Sequence, residues 1–245
     1  MADDIKHFPS LDRLEFSAAC HHLERRYRQA TLGPLRSRWK LRLCTALDAA
    51  FTVDGTYATY AQIKRPLEPT TDCHGLSLAM ERVSFDEEDS EIIRAEESDS
   101  VRGASSTHSL CPDQYIQAAI VKDVPHDDAA HVIYEIHLHP TYRVPCLWFT
   151  LHNLSVDEPA LSIETVFRRL VPDEYKSRLR GVGAVGGISA DHHPITGLPA
   201  FFVHPCLLGD AISGFQCSLD NYLIIWLGLV GGCVGLWVPR EMALQ

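Results

Sequence analysis

No two of the eight cysteines in this chain form a Cys-x-x-Cys pair; Cys20, Cys44, Cys73, Cys111, Cys146, Cys206, Cys217 and Cys233 are scattered along it. That scatter fits neither a disulfide framework nor a zinc ribbon, so most are expected to be reduced, small core hydrophobes. Positive charge is also scarce. Lys and Arg number 22 against 32 Asp and Glu, a net charge of -10. This argues against a general nucleic-acid binder and for a protein or small-molecule partner. The start, Met1-Ala2-Asp3-Asp4-Ile5-Lys6, lacks the apolar core of a signal peptide, so a cytoplasmic location is expected. Long uncharged runs are missing too. The uncharged stretch Tyr222 to Val238 is short for a membrane span of roughly 20 residues and is broken by Gly228, Gly231, Gly232 and Gly235. No integral membrane span is expected.

What is present is enough apolar material for one substantial core, 46% hydrophobic residues with 22% charged ones. A single domain over residues 1–245 is expected, with one insertion. From Ser84 to Ser109 the chain is acidic and serine-rich, with too few large apolar groups to offset the entropy of ordering, and reads as a disordered insert. Before it, Ser10 or Asp12 can cap a helix whose Phe16, Ala19, Cys20, Leu23 and Tyr27 share one face. Trp39 to Leu43 and Thr56 to Ile63 read as strands. Arg25, Arg26, Arg28, Arg36, Arg38, Lys40 and Arg42 form a local basic cluster, either a solvated face or a docking surface for an acidic partner.

Past the insert, Val132, Tyr134, Ile136 and Leu138 alternate with polar residues as in a half-buried strand, and Pro140-Thr141-Tyr142 turns into a second strand from Val144 to Leu151. Ser162 precedes a helical face of Ile163, Val166, Phe167 and Leu170, closed by Pro172. Ser218 can cap a last helix with Tyr222, Ile225, Trp226 and Leu229 inward, and Cys233 to Val238 reads as a final strand. Strands in a block with helices at both ends predict an α+β fold, an antiparallel sheet with helices packed mainly on one face.

Chemistry concentrates at Cys206. Ala200 to Val203 is a short apolar strand, and Pro205 removes a ladder donor and holds His204 extended, so the strand must stop at the cysteine. A thiol there can face solvent on a rigid support, with Gly209, Asp210 and Ser213 suggesting an open loop beyond it. Gly181-Val182-Gly183-Ala184-Val185-Gly186 matches a dinucleotide fingerprint in letters, but a helix ends before it and none can begin after it, so it reads as a loop. His137 and His139, with His192 and His193, could be considered for zinc, but their spacing fits no closed site; no metal and no organic cofactor are expected. A thiol hydrolase would need a base. His204, two residues along an extended chain, is expected to point away from Cys206, and His193 or His152 could serve only through the fold.

Several stretches carry a resemblance: Tyr134-Glu135-Ile136-His137, Pro140 to Phe149, His193 to Cys206, and Trp226 to Gly231 with Pro239. In their order and spacing the chain from His131 to its C-terminus resembles the autophagy E2-like conjugating enzymes, the branch that joins autophagy protein twelve to autophagy protein five. The resemblance implies an E2-like fold. It also implies that Cys206 takes a ubiquitin-like modifier as a thioester from an E1-like activating enzyme and passes it to a lysine of an acceptor protein. His204 and Pro205 would be supporting residues. Ubiquitin E2 enzymes usually assign the oxyanion to the asparagine of a His-Pro-Asn motif. Here none of the His-Pro pairs at His139, His193 and His204 is followed by asparagine, and only Asn153 and Asn221 exist. Asn153, at the end of the hairpin strand, is the favoured side-chain donor; backbone amides or a tyrosine are equally open. The alternatives are a non-catalytic E2-like interaction module and a thiol hydrolase.

Overall fold

The computed structural model describes residues 5–47, 57–68, 129–181 and 187–244. The acidic stretch 84–109 lies outside them, as does the glycine motif beyond Gly181.

The first helix, α1 (Arg13–Gln29), starts where the sequence supplies a reciprocal cap. The Asp12 carboxylate accepts from the Glu15 amide at 2.8 Å, and the Glu15 carboxylate accepts from the Asp12 amide at 2.7 Å. Phe16, Ala19, Cys20, Leu23 and Tyr27 are buried, as their spacing requires. Much of the basic cluster is paired within the chain. Arg25 and Arg26 both bind Asp220, Arg28 binds Glu24, and Arg36 donates to the carbonyls of Tyr27 and Ala30.

After a single-turn helix, α2 (Leu35–Arg38), the strands run β1 (Lys40–Leu47), β2 (Tyr57–Pro66), β3 (His131–Leu138), β4 (Pro145–His152), β5 (Ile188–His192) and β6 (Pro199–Val203). They form one sheet in the order β1-β2-β3-β4-β6-β5, every neighbour antiparallel. The first two are longer than their apolar cores suggested. β5, masked in sequence by its polar residues, pairs only with β6 at the sheet edge.

Alternation gives the sheet two faces. Val132, Tyr134 and Ile136 point into the core with Ile63, Leu147, Phe149 and Phe201, where α1 and α6 (Tyr222–Val230) cover them. The Tyr134 hydroxyl donates to the Val234 carbonyl at 2.7 Å, pinning the C-terminal segment to the sheet. The opposite face carries a row across the register, Arg42, Gln62, Glu135, Trp148 and Phe202. The fold is thus α+β, as expected.

Three local expectations need correction. Residues 233–238 are not a strand: Gly231–Val234 forms a 3-10 turn, and Gly235 takes a left-handed φ of 69° that folds Leu236 back so its amide reaches the Gly231 carbonyl at 2.8 Å. α6 starts at Asn221 rather than at a Ser218 cap, and it is buried nearly all round, leaving Leu229 exposed and Ile225 only partly covered. Gly209, Asp210 and Ser213 sit in a short helix, α5 (Leu208–Ser213), not an open loop. The remaining helices are α3 (Ile163–Arg169), α4 (Asp173–Gly181) and α7 (Arg240–Ala243). No helix of the described residues is long and apolar enough to cross a membrane.

Candidate active site

Cys206 occupies a 3-10 turn, Pro205–Leu207, wedged between the end of β6 and the start of α5. Pro205 sets this break. It has no N–H to extend the ladder and its fixed φ suits the first position of a helical turn. The thiol is neither open nor sealed: Cys206 is half-buried and Leu207 beside it is 57% exposed. Cys146 and Cys20 are fully buried, and burial pushes both thiols well above the usual range. Burial also pushes Cys233 up to about 11 and raises Cys217.

His204 does not turn away from the cysteine. The chain leaves strand geometry after Val203, and the His204 Nδ1 accepts a hydrogen bond from the Cys206 amide at 3.2 Å. The same device recurs at each His-Pro pair. His139 Nδ1 receives the amides of Thr141 and Tyr142 at 3.2 and 3.3 Å, and His193 Nδ1 receives those of Ile195 and Thr196, both at 3.3 Å. A histidine ring here does what an asparagine does in an Asx-turn, with proline supplying the position that has no donor.

The β3–β4 turn packs against His204. The Tyr142 ring lies 6.0 Å from that of His204 and 4.8 Å from that of His139. Arg143, at φ 54°, closes this turn, its amide donating to the His139 carbonyl at 2.8 Å while its carbonyl accepts from Leu11. Burial lowers the His139 pKa.

Asn153 is not at this site. Val203 pairs with Leu147 and Phe201 with Phe149, so the chain beyond Val203 leaves the sheet at one end while Asn153 follows His152 at the other. Asn153 lies six positions beyond Leu147 along the chain, roughly 20 Å at the usual rise. Asn221 stands at the start of α6, its side-chain oxygen accepting from the Ser218 amide at 2.8 Å. The bases considered for a hydrolase are no better placed. His152 lies at the far end with Asn153, stacked on His131, and both ring nitrogens of His193 have partners.

Glu135, His137 and His193 form the group of side chains closest to a metal-ligand set among the described residues. Glu135 Oε2 is 2.9 Å from His137 Nε2 and 2.8 Å from His193 Nε2. Since two amides point at His193 Nδ1, its proton belongs on Nε2, facing Glu135. A metal there would need that lone pair and would push the proton against two N–H groups. The cluster fits a hydrogen-bonded clamp better than a metal site. Although burial favours the neutral acid, the bonds from His137, His193 and Gln62 outweigh it and hold the Glu135 carboxyl far below the usual carboxylate range.

An antiparallel sheet backed by helices on one face, with a cysteine presented from the turn after its strand, defines an E2-like scaffold. The family model described as autophagocytosis associated protein, active-site domain, matches residues 15–241, and the chain belongs to that family. A Gibberella zeae protein named ubiquitin-like-conjugating enzyme ATG10 is 60% identical over 98% of this chain and 99% of its own length. Proteins of the same name from Homo sapiens and Arabidopsis thaliana are 32% and 28% identical, over 46% and 56% of this chain and 50% and 63% of their own. The relationship drawn from His131 onward therefore extends through α1.

The capping role of His204, the contact of Tyr142 with it and the Glu135 clamp were not read from the sequence. A signal for the first existed: a polar residue before proline at the start of a turn is a cap signature, obscured because histidine is seldom counted among capping residues.

Proposed function

We propose that this chain carries a ubiquitin-like modifier as a thioester on Cys206 and conjugates it to a lysine of an acceptor protein in autophagy. The observation that carries the reading is a half-exposed cysteine in the turn after β6, inside a chain matched by the family from residue 15 to 241. The partners are an E1-like activating enzyme, the modifier and the acceptor, and the cytoplasm is the expected location. The resemblance points to autophagy protein twelve as modifier and autophagy protein five as acceptor.

In the first step the Cys206 thiolate attacks the carbonyl carbon of the E1-linked thioester; a new C–S bond forms and the E1 thiolate leaves. A free cysteine thiol is about a few per cent thiolate at neutral pH, enough for exchange between thioesters of similar energy. In the second step a neutral acceptor amine attacks the same carbon; the attacking nitrogen gives up a proton to solvent, and the oxyanion collapses to the amide as the Cys206 thiolate departs. Backbone amides beyond Cys206 can also serve that oxyanion; among side chains we assign it to Tyr142, whose ring packs beside His204, since Asn153 lies at the far end of the sheet.

The test is reconstitution. With activating enzyme, ATP and modifier, the wild-type protein should form an adduct cleaved by reducing agent, and Cys206→Ser should give a reductant-resistant ester or none. Conjugation retained in Cys206→Ala would overturn the assignment, and free modifier released without any acceptor product would favour a hydrolase.

A further inference from the structure

We infer that His204 is a positioning residue whose unprotonated Nδ1 holds the turn that presents Cys206, so that the turn is set only while this imidazole is neutral. The inference rests on Cys206 being the thiol that carries the modifier, and it assigns to His204 a role distinct from that of a general base.

The geometry leaves little choice of protonation state. Pro205 has no N–H, so the Cys206 amide is the first donor of the turn that needs an acceptor, and His204 Nδ1 meets it at 3.2 Å. A backbone N–H can donate only to a nitrogen with a free lone pair. In the neutral ring the proton therefore sits on Nε2. Protonating Nδ1 would set two N–H groups face to face, removing the cap and adding repulsion where the thiol is anchored. The ring cannot easily swing clear, because Tyr142 and Phe202 flank it, each with its ring centre 6.0 Å away. The backbone of His204 is held as well, its amide donating to the Gly187 carbonyl at 3.0 Å.

The neighbouring elements contribute few charges that could hold a second proton on the ring. From the β3–β4 turn come His139, Tyr142 and Arg143. His139 accepts two amides on its own Nδ1, and Arg143 donates to the Leu11 carbonyl. From the following turn and helix come Cys206 itself and the exposed Asp210. Just before β5 the backbone of Gly187 makes the contact.

Orientation is what such a cap contributes to thioester exchange. The sulfur must approach a carbonyl carbon along a narrow path, and a turn that frays spends less time in that geometry.

The decisive variants separate the two ring nitrogens. Asparagine places its side-chain oxygen where Nδ1 lies and cannot be protonated, whereas glutamine places its amide near Nε2. Transfer of the modifier from a preformed E1 thioester to wild type, His204→Asn, His204→Gln and His204→Ala should be followed between about pH 5.5 and 8, the range where imidazoles titrate. At the upper end His204→Gln and His204→Ala should load about fivefold to tenfold more slowly, the order of one lost cap, and His204→Asn should recover most of that loss. The ratio of the His204→Asn rate to wild type, in which thiol ionisation and the E1 cancel, should climb as pH falls.

A glutamine variant faster than the asparagine one, or a ratio flat across the range, would overturn the inference while leaving Cys206 as carrier. A wild-type protein that forms no reductant-labile adduct would instead overturn the reading of Cys206. Nitrogen-15 spectra of the wild-type imidazole give a readout independent of loading. At pH about 8 they should show His204 with a bare Nδ1 and a protonated Nε2, and the opposite tautomer would refute the assignment.

Discussion

Glu135 Oε2 and His193 Nε2 meet at 2.8 Å and join the middle of β3 to the turn that leads into β6. The same carboxylate accepts from His137 at 2.9 Å and from Gln62 at 2.6 Å, and Gln62 accepts from Arg42 at 2.7 Å. Through Glu135 and Gln62 this network joins β1, β2 and β3 to the turn of the hairpin that leads to Cys206. Tyr60 stacks on His137 at 4.6 Å and Trp148 meets His193 edge-on at 5.6 Å, so both imidazoles are fixed by rings as well as by hydrogen bonds.

Replacing Glu135 by Gln keeps the shape but turns an acceptor-only carboxylate into a group whose NH2 must face at least one of the three donors on it. With its side chain only 13% exposed, the loss should be about 2 to 3 kcal/mol of unfolding free energy, read from the urea midpoint. The sign of the pH dependence follows from the depressed carboxyl. Its contribution is complete above the unfolded-state value of 4.5 and is lost as pH falls toward the lower folded-state value. The gap between wild type and Glu135→Gln should therefore be steady from about pH 6 to 8 and narrow below about 4.5. A gap that widens in acid would contradict the clamp.

Native-state alkylation ranks the cysteines. Burial raises the thiol pKa of Cys20, Cys146, Cys217 and Cys233, so each is short of thiolate at neutral pH, and Cys20 and Cys146 are also covered. Iodoacetamide followed by peptide mass mapping should modify Cys206 ahead of these four. Equal labelling of Cys146 would mean that β4 opens or that the turn at Cys206 is closed to reagents.

The segments that face one way were readable from the sequence. The stripe on α1, the alternation in β3 and the aromatic density of β4 each encode burial on one side, and the sheet followed from them. The stop at Pro205 was readable for the same kind of reason, since a residue without an N–H cannot continue a ladder. What escaped depends on partners distant in sequence. β5 is an edge strand of Ile188-Ser189-Ala190-Asp191-His192 whose partner in the sheet is β6. Asn153 looked near the site because the end of β4 was known but the direction of its pairing was not. Once Val203 lies against Leu147, the asparagine is at the wrong end.

That register makes a paired prediction. Asn153 sits at φ 54°, so Asn153→Gly removes the amide without straining the left-handed backbone. It should leave both thioester formation and lysine transfer within about twofold of wild type, since at roughly 20 Å no hydrogen bond can reach the reacting carbon. Tyr142→Phe should leave thioester formation intact and slow transfer to the acceptor by about a hundredfold, the lower end for loss of one oxyanion donor. Single-turnover discharge assays separate the two steps. A slow Asn153→Gly together with a normal Tyr142→Phe would reverse the assignment.

The C-terminal turn offers a test of why an apparent strand folds back. Gly235 adopts φ 69°, and a Cβ placed there would lie 2.8 Å from the Leu170 carbonyl oxygen, a backbone atom in the turn after α3 that cannot swing aside. Gly235→Ala therefore meets two penalties, about 1 to 2 kcal/mol for the left-handed backbone and a further cost for displacing Leu170. The total should exceed about 2 kcal/mol and lower the thermal midpoint by several degrees. Gly228, with nothing within 4 Å of its own added Cβ and a place inside α6, is the internal control. Gly228→Ala should raise stability by about 0.5 to 1 kcal/mol, because alanine favours the helix. Loss at Gly235 with gain at Gly228, measured by thermal unfolding under one buffer, would locate the fold-back in backbone conformation; equal effects at both positions would not.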